Sequence, residues 1–361
     1  MMMRAAWLVV PVWGWAAVVQ AQPSITGVTG TLSHGQTVTI AGSGFGTKSP
    51  VAPAAFEDFS DGVANGISKH GGTWHITNNT DNLRTPFDVM NARCDFKHPG
   101  GMCEYSYNAV TAPRWFVQYW FKPAPNWQWG TTTYGGNNDG LANVKFLRFF
   151  PTGSRNYSNV FYAFLGWANN VIRAVENGDT VYLPIDFTVI MTPGSWHLVQ
   201  AEFGENSGVD QADGRLRLWI DGALRHTTDT LVTNVGSDGP AINKRPYVIG
   251  LRDSWPPSDA PVDNMYGYYS DIYVDTSWAR VEVGDAPVYN DCTVREIQIP
   301  ASWSDSAIEI TFRQGTFGNG QTVYVFVVDA SGAVSPGFGV VVGSSGGSDP
   351  APRPRVRWRI K

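Results

Sequence analysis

Polar side chains at alternate positions of two strand-like segments are the residues best placed to do chemistry. Gln118 and Trp120 lie two apart in RWFVQYWFKP, and Gln200 and Glu202 lie two apart in WHLVQAEFG. Alternate side chains of a strand point to the same face, so each pair shares a face. The apolar residues beside Gln200 and Glu202 predict that the opposite face is the core. Amide and carboxylate groups beside an aromatic plane suit a ligand that has hydroxyl groups and apolar ring faces, as a sugar has.

A third segment and a loop add cationic and aromatic groups to this predicted face. NVKFLRFF carries Arg148, which we assign outward because a buried arginine needs a partner. The three segments are predicted to lie in one sheet. The rings of the loop NWQWGTTTYGGNND are predicted to rim the face, although they would also serve as a hydrophobic latch over a sandwich edge. The predicted ligand-binding set is Gln118, Trp120, Trp127, Trp129, Tyr134, Arg148, Gln200 and Glu202.

Two kinds of sugar chemistry are alternatives to simple binding. Retaining glycosidases hold two carboxyl groups about 5 Å apart, and no Glu-x-Asp-x-Glu or Glu-x-Asp-x-x-Glu run occurs. Elimination beside a uronic-acid carboxylate needs a basic or phenolic group to remove the proton and an Arg, Gln or Asn to neutralise the carboxylate. Such groups are Gln118, Lys145, Arg148, Gln200, Tyr157, Tyr266 and Tyr268. No catalytic residue is assigned, and the sequence favours binding over catalysis.

Metal ligands form no recognisable motif, because the six histidines are scattered and no Cys-x-x-Cys occurs. The segments GGNNDG (135–140) and DSWPPSDAPVDN (253–264) hold oxygen ligands of the type that calcium prefers. A structural calcium ion at one of them is one interpretation, and solvated turns are the other. No other cofactor is predicted.

The three cysteines fit an exported protein without forming a disulfide scaffold. Cys94 and Cys103 bracket DFKHPGGM, whose Pro-Gly-Gly turn would bring the two sulfur atoms together. A disulfide between them is one prediction and two buried free thiols are the alternative. Cys292 is expected to be buried.

The N-terminal segment 1–21, MMMRAAWLVVPVWGWAAVVQA, is typical of a secretory signal peptide. Arg4 precedes an apolar run that ends with a small residue at the cleavage point, and Pro11 and Gly14 make the run a poor membrane span. The mature protein is therefore expected to be secreted or at the cell surface and not to span the membrane. The net charge of −5 of the 361-residue chain argues against nucleic acid as the partner.

The C-terminal segment 344–361 is predicted to be a flexible Gly/Ser linker followed by a basic end. That end holds five cations and no acidic residue, which suits contact with an anionic cell envelope. A tail without function is the alternative. The cations are Arg353, Arg355, Arg357, Arg359 and Lys361.

The two ends of the chain hold strands that need partners. SITGVTG and TVTIAGSGFG are two strands near the N-terminus, and VREIQIP, AIEITFRQG, TVYVFVVD and GFGVVVG are four more near the C-terminus. In this order they resemble the IPT/TIG family of immunoglobulin-like domains. The resemblance implies one discontinuous sandwich from residues 22–56 plus 288–343. An N-terminal strand pair packed on the middle segment, with a separate C-terminal domain, is the alternative.

The middle segment, residues 57–287, carries strands separated by loops rich in Asn, Gly, Asp and Pro. GSWHLVQAEFG followed by GRLRLWIDG resembles the concanavalin A-like lectin/glucanase superfamily, in its laminin-G-like and polysaccharide-lyase-like members. The resemblance implies a jelly roll. It implies no single activity, because this fold hosts lectins, hydrolases, lyases and structural modules.

Together these observations predict an all-β protein: a concanavalin A-like antiparallel β-sandwich (jelly roll) plus an immunoglobulin-like β-sandwich. The predicted function is binding of an extracellular polysaccharide, as a lectin does. A polysaccharide lyase that acts by β-elimination on a uronic-acid polymer is the alternative, and a non-catalytic adhesion module is the third possibility.

Overall fold

A computed structural model describes residues 22–64, 66–70, 76–95, 103–127, 144–151, 160–165, 171–176, 179–252 and 266–345. The described residues form antiparallel strands, one short α-helix, Phe187–Ile190, and two single-turn 3-10 helices, Gly236–Asp238 and Tyr289–Asp291. The all-β prediction is therefore confirmed. None of the described helices has the length and apolar character needed to cross a membrane.

The strands form three sheets, which we call the split sheet, the front sheet and the back sheet. The split sheet contains β1 (Ser24–Gly30), β2 (Thr37–Ser43), β18 (Arg280–Gly284), β19 (Arg295–Trp303), β20 (Ala307–Thr311), β21 (Thr322–Val328) and β22 (Phe338–Val341). The front sheet contains β4 (Ser68–His70), β7 (Cys103–Ser106), β9 (Val144–Pro151), β10 (Val160–Leu165), β11 (Val171–Glu176), β12 (Asp179–Asp186) and β16 (Lys244–Arg252). The back sheet contains β3 (Ala55–Glu57), β5 (Ile76–Asn79), β6 (Asn91–Asp95), β8 (Arg114–Pro123), β13 (His197–Gly204), β14 (Gly214–Ile220), β15 (Ala223–Leu231) and β17 (Tyr266–Asp275).

The split sheet joins the two ends of the chain. β2 pairs antiparallel with β20, so that Val38 lies opposite Ile310 and Ile40 opposite Ile308. These four side chains are buried in a core of their own, with Val28 among their neighbours. The first two strands thus have their partner more than 260 residues downstream, and their apolar faces would be exposed without it. The IPT/TIG assignment stays a prediction.

Two strands join sheets other than those that the sequence-based division implies. β18 lies inside the predicted middle segment, but it pairs with β19 and β21 of the split sheet. Its residues alternate, so that Val281 and Val283 fill the split-sheet core while Arg280 and Glu282 take the opposite face. Conversely, Ala55 and Phe56 were grouped with the N-terminal strands, yet β3 pairs with β17 of the back sheet.

The front and back sheets pack face to face as a sandwich, because each has one apolar face. Val117 and Tyr119 of β8 and Phe203 of β13 belong to this core, as the alternation predicted. Across the sandwich, the ring of Phe149 on β9 stacks on that of Phe203 at 4.5 Å between centroids. The prediction that β9 lies in one sheet with β8 and β13 is therefore wrong. Apolar alternation orients a strand but does not specify its sheet.

The split sheet forms a third layer on the outer face of the back sheet. Phe116 of β8 and Tyr273 of β17 point away from the sandwich core and pack with Ile297 of β19. The outer face of the back sheet is thus an internal boundary between two layers, whereas the outer face of the front sheet has no such cover among the described strands.

Candidate functional site

The outer face of the back sheet carries most of the predicted binding residues, but it is buried. Gln118, Gln200 and Glu202 are 0%, 1% and 2% exposed. Gln200 Nε2 donates to Gln118 Oε1 at 2.8 Å, and Gln200 Oε1 accepts a hydrogen bond from Arg295 Nη2 at 2.6 Å. The prediction that these three side chains face an open groove is wrong. They face outward from the sandwich core, as predicted, and β18 and β19 cover them.

Ion pairs fill this boundary. Arg280 of β18 lies 3.1 Å from Glu202 Oε1 and 2.9 Å from Glu282 Oε2. Burial raises the pKa of Glu282, but the charges of Arg280 and Arg295 outweigh it and hold the pKa below its usual value. Tyr289 adds a hydrogen bond from its hydroxyl to Glu282 at 2.6 Å. These charges stabilise one another, and the side chains that carry them are buried.

Trp120 lies in a second buried cluster at the same boundary. The guanidinium of Arg84 lies 4.5 Å from the centre of its ring and forms ion pairs with Asp271 and Glu296. Asp271 adopts a left-handed backbone conformation, φ 47°, at an irregularity in the pairing of β17 with β8. Trp120 is 4% exposed, so its ring is not available to a sugar.

The aromatic loop gives one described residue. Trp127 is 5% exposed and packs edge-on against Phe121 at 5.7 Å, as part of the sandwich core. Trp127 therefore matches the latch alternative and does not rim an open face. Trp129 and Tyr134 lie outside the described residues, as do Tyr157 and the two segments considered for calcium.

The remaining side chains singled out from the sequence have other surroundings. His197 contacts Asp221 through Nδ1 at 2.7 Å and the carbonyl oxygen of Thr192 through Nε2 at 3.0 Å, so both ring nitrogens have partners. Cys94 is disulfide-bonded and Cys292 is a buried free thiol. The pairing of Cys94 with Cys103 stays a prediction, because the side chain of Cys103 is outside the described part. The described residues contain no group of three or more metal-binding side chains.

The outer face of the front sheet presents a different arrangement, which we call the basic-aromatic face. Arg148 of β9 lies opposite Phe161 of β10, and a pairing irregularity between Pro246 and Val248 leaves Tyr247 of β16 out of the regular ladder. A bulge of this kind changes the direction in which a side chain points from the strand. The face consists of Lys145, Arg148, Phe150, Phe161, Arg245 and Tyr247.

Each cation on this face lies over an aromatic ring. The guanidinium carbon of Arg148 is 4.1 Å from the centre of the Phe150 ring and 5.7 Å from that of Tyr247. That of Arg245 is 5.6 Å from the Tyr247 ring, and Lys145 Nζ is 5.2 Å from the Phe161 ring. These contacts hold the cations in place. All three cations are half-buried, so each is partly open to solvent.

This arrangement suits an acidic ligand with apolar faces. A guanidinium binds a carboxylate through two parallel hydrogen bonds, and half-exposed rings of Phe150 and Tyr247, 5.6 Å apart, offer apolar surface beside it. Sequence reasoning assigned Arg148 outward correctly and considered Lys145, but it missed Arg245 and Tyr247. Their signal is the alternation in KRPYVIG, where they lie two residues apart.

Comparison with known proteins gives structural similarity only. No protein-family model and no curated protein matches the chain. Among solved structures, an endo-β-1,4-glucuronan lyase from the fungus Trichoderma reesei is similar at 16% identity and a TM-score of 0.43, over 63% of this chain and 97% of that one. The marine PL-14 alginate lyase from Aplysia kurodai is similar at 12% identity and a TM-score of 0.39, over 58% of this chain and 90% of that one.

The cellulose induced protein Cip1 is similar at 15% identity and a TM-score of 0.39, over 62% of this chain and 97% of that one. All three identities and TM-scores are low. Any assignment of activity therefore depends on the residues of this chain.

Proposed function

We propose that this protein binds an acidic extracellular polysaccharide on the basic-aromatic face. The observation that carries the proposal is the set of three half-buried cations, each held over an aromatic ring, on the side of the sandwich that no described strand covers. Carboxylate groups of a uronic-acid polymer would pair with Arg148 and Arg245. The apolar faces of its sugar rings would lie against Phe150 and Tyr247. An extracellular ligand agrees with the signal-like segment 1–21.

An acidic polysaccharide matches the basic-aromatic face better than a nucleic acid does. The chain has a net charge of −5. This charge disfavours binding of a nucleic acid, because such binding depends largely on cationic residues that neutralise many phosphates. A polysaccharide with one charge on each unit needs only a local group of cations, and the basic-aromatic face supplies it. The rings add contact area that a purely electrostatic site would lack.

A second candidate function, elimination at a uronic-acid unit, is favoured by the surroundings of Tyr247. Guanidinium groups of Arg148 and Arg245 lie within 6 Å of its ring, at 5.7 and 5.6 Å. In such a reaction the arginines would neutralise the substrate carboxylate, and a deprotonated phenol would remove the adjacent carbon-bound proton. A C=C bond forms as the C–O bond to the leaving sugar breaks, and the leaving oxygen takes up a proton.

Binding and elimination can be tested in one experiment. The protein is incubated with neutral and uronic-acid polysaccharides on a glycan array, while parallel samples in solution are followed by absorbance of the unsaturated uronate product. We expect binding to uronic-acid polymers and none to neutral ones. Rising absorbance that disappears in Tyr247→Phe, with binding retained, would establish the lyase alternative. Equal binding to neutral polymers would refute the proposal.

A further inference from the structure

A cleft lies where the end of the sandwich meets the split sheet, and we call it the junction cleft. Its volume is about 560 Å³, within the range of roughly 300–1,000 Å³ that is typical of small-molecule sites. Both layers contribute to it. Its charged and aromatic lining residues are Arg114, Glu205, Asp213, Arg215, Asp229 and Trp278.

Two guanidinium groups in the cleft are held in place by one indole ring. Arg114 and Arg215 lie 4.9 and 4.3 Å from the centre of the Trp278 ring. Trp278 is itself fixed, because its Nε1 donates to the carbonyl oxygens of Trp115 at 3.2 Å and Phe203 at 3.1 Å. Groups fixed in this way lose little conformational entropy when a ligand binds.

Most carboxylates of the cleft are already paired. Glu205 contacts the buried ammonium of Lys244 at 2.9 Å. Asp229 contacts both Arg215 at 2.7 Å and Arg217 at 3.3 Å. These two carboxylates therefore have cationic partners within the protein. Their charges are largely balanced, so they would repel an anionic ligand only weakly.

One cation and one carboxylate of the cleft have only neutral partners among the described residues. Arg114 is exposed and donates one hydrogen bond, to the carbonyl oxygen of Ala330 at 3.2 Å. The exposed Asp213 accepts a hydrogen bond from the backbone N–H of Ser207 at 2.8 Å and also contacts the Ser207 side chain. A guanidinium has five N–H donors and a carboxylate has about four acceptor sites. Both groups therefore have capacity left for a ligand.

We propose that the junction cleft is a second binding site, specific for a carboxylated sugar unit. The sugar carboxylate accepts hydrogen bonds from Arg114, and its hydroxyl groups donate to Asp213. An inorganic anion such as sulfate has no hydroxyl donor for Asp213 and is repelled by it. A neutral sugar has no anionic group for Arg114. The site is separate from the basic-aromatic face, and its ligand class follows from the cleft residues alone.

The indole N–H of Trp278 provides a direct measurement. The full chain, labelled with ¹⁵N, is titrated with glucuronic acid, glucose or sodium sulfate at constant ionic strength, and the Trp278 indole signal is assigned with Trp278→Phe. We expect glucuronic acid to shift this signal in a saturable manner. Arg114→Gln should weaken the interaction by about 10- to 100-fold, as expected for a lost hydrogen bond to a charged group. Arg225→Gln, a half-buried arginine of β15 outside the cleft, is the matched control and should bind normally.

The possible results separate this site from the proposed function. Arg148→Ala should leave the Trp278 titration unchanged, even if it abolishes binding of the polymer. No saturable shift with glucuronic acid would overturn the proposal, and so would a shift that persists in a folded Arg114→Gln protein. An equal response to sulfate would also overturn it, because it would show a non-specific anion site.

Discussion

The two outer faces of the sandwich contain the same kinds of side chain but have opposite surroundings. On the back sheet, Glu202 and Gln200 meet arginines supplied by the split sheet, and all of these groups are buried. On the front sheet, Arg148 and its neighbours lie over rings of their own sheet and stay partly exposed. The two faces therefore differ in their cover and not in their residue types: the split sheet covers one, and no described strand covers the other.

The largest expected effect on stability comes from removing a cation from the boundary between the back sheet and the split sheet. Arg280→Ala leaves Glu202 and Glu282 buried without their main cation, which should lower the free energy of unfolding by about 3–5 kcal/mol. Urea unfolding followed by tryptophan fluorescence measures this change. Glu309→Ala, an exposed position on β20, is the control and should change stability by no more than about 0.5 kcal/mol. Comparable stabilities of the two variants would contradict the buried ion pairs of Arg280 with Glu202 and Glu282.

A comparable effect is expected from the core that joins the chain ends. Ile40→Ala removes a fully buried side chain that lies opposite Ile308, and should cost about 2–5 kcal/mol. In a double-mutant cycle, Ile40→Ala and Ile308→Ala should be non-additive by about 0.5 kcal/mol or more, since the residues touch in one core. Strict additivity would argue against the pairing of β2 with β20.

A third test compares one variant from each of the two outer faces. Arg148→Ala should weaken binding of a uronic-acid polymer by about 10- to 100-fold, with little change in stability. Gln200→Ala should do the reverse: it leaves donors of Arg295 unpaired and costs about 1–3 kcal/mol of stability, but does not change affinity. Affinity by isothermal titration calorimetry and stability by urea unfolding are measured on both variants. Lost affinity in a folded Gln200→Ala protein would mean that the covered face takes part in binding.

The smallest effect is expected from an ion pair at the rim of the back sheet. Burial lowers the pKa of His197, but the hydrogen bond and charge of Asp221 outweigh it, so the pKa is raised. A raised folded-state pKa stabilises the protein below the unfolded pKa of about 6.5, and this contribution is lost as pH rises through the folded pKa. Stability measured between pH 5 and 9 should show this loss in the natural chain. A profile of Asp221→Asn with the same histidine-dependent fall would contradict it.

The sequence predicted local orientation well and long-range layering poorly. Alternation placed Gln118, Gln200 and Glu202 on the outer side of their strands, as observed. Nothing local indicates that Arg280 and Arg295 lie over them, since these arginines are 78 and 95 residues from Glu202 and Gln200 along the chain. Segments such as ARVEV, with apolar and charged residues in alternation, are typical of a sheet with one solvent-exposed face. Here the charged side chains, Arg280 and Glu282, face the back sheet and are buried.

The same difficulty with long-range layering explains why the sequence predicted only part of the basic-aromatic face. Arg148 was assigned outward for the correct reason, but β9 was placed in the wrong sheet because alternation orients a strand without specifying its neighbours. The site therefore needed two facts that periodicity cannot supply: which strands neighbour β9, and which face of the sandwich the split sheet covers. Tyr247 lies two residues after Arg245 in KRPYVIG, so alternation indicates that they share a face, but it does not indicate that β16 pairs with β9.

The junction of the chain ends has a mechanical consequence. Thr31 and Ser345 form an antiparallel bridge, so the first and last described segments run side by side on the split sheet. Tension applied through whatever is attached before residue 22 and after residue 345 would load β1 and β22 first. The sandwich with the basic-aromatic face, inserted between β2 and β18, lies off this line of force. A pull on these two ends would therefore strain the split sheet before it deformed the surface proposed to hold the polymer.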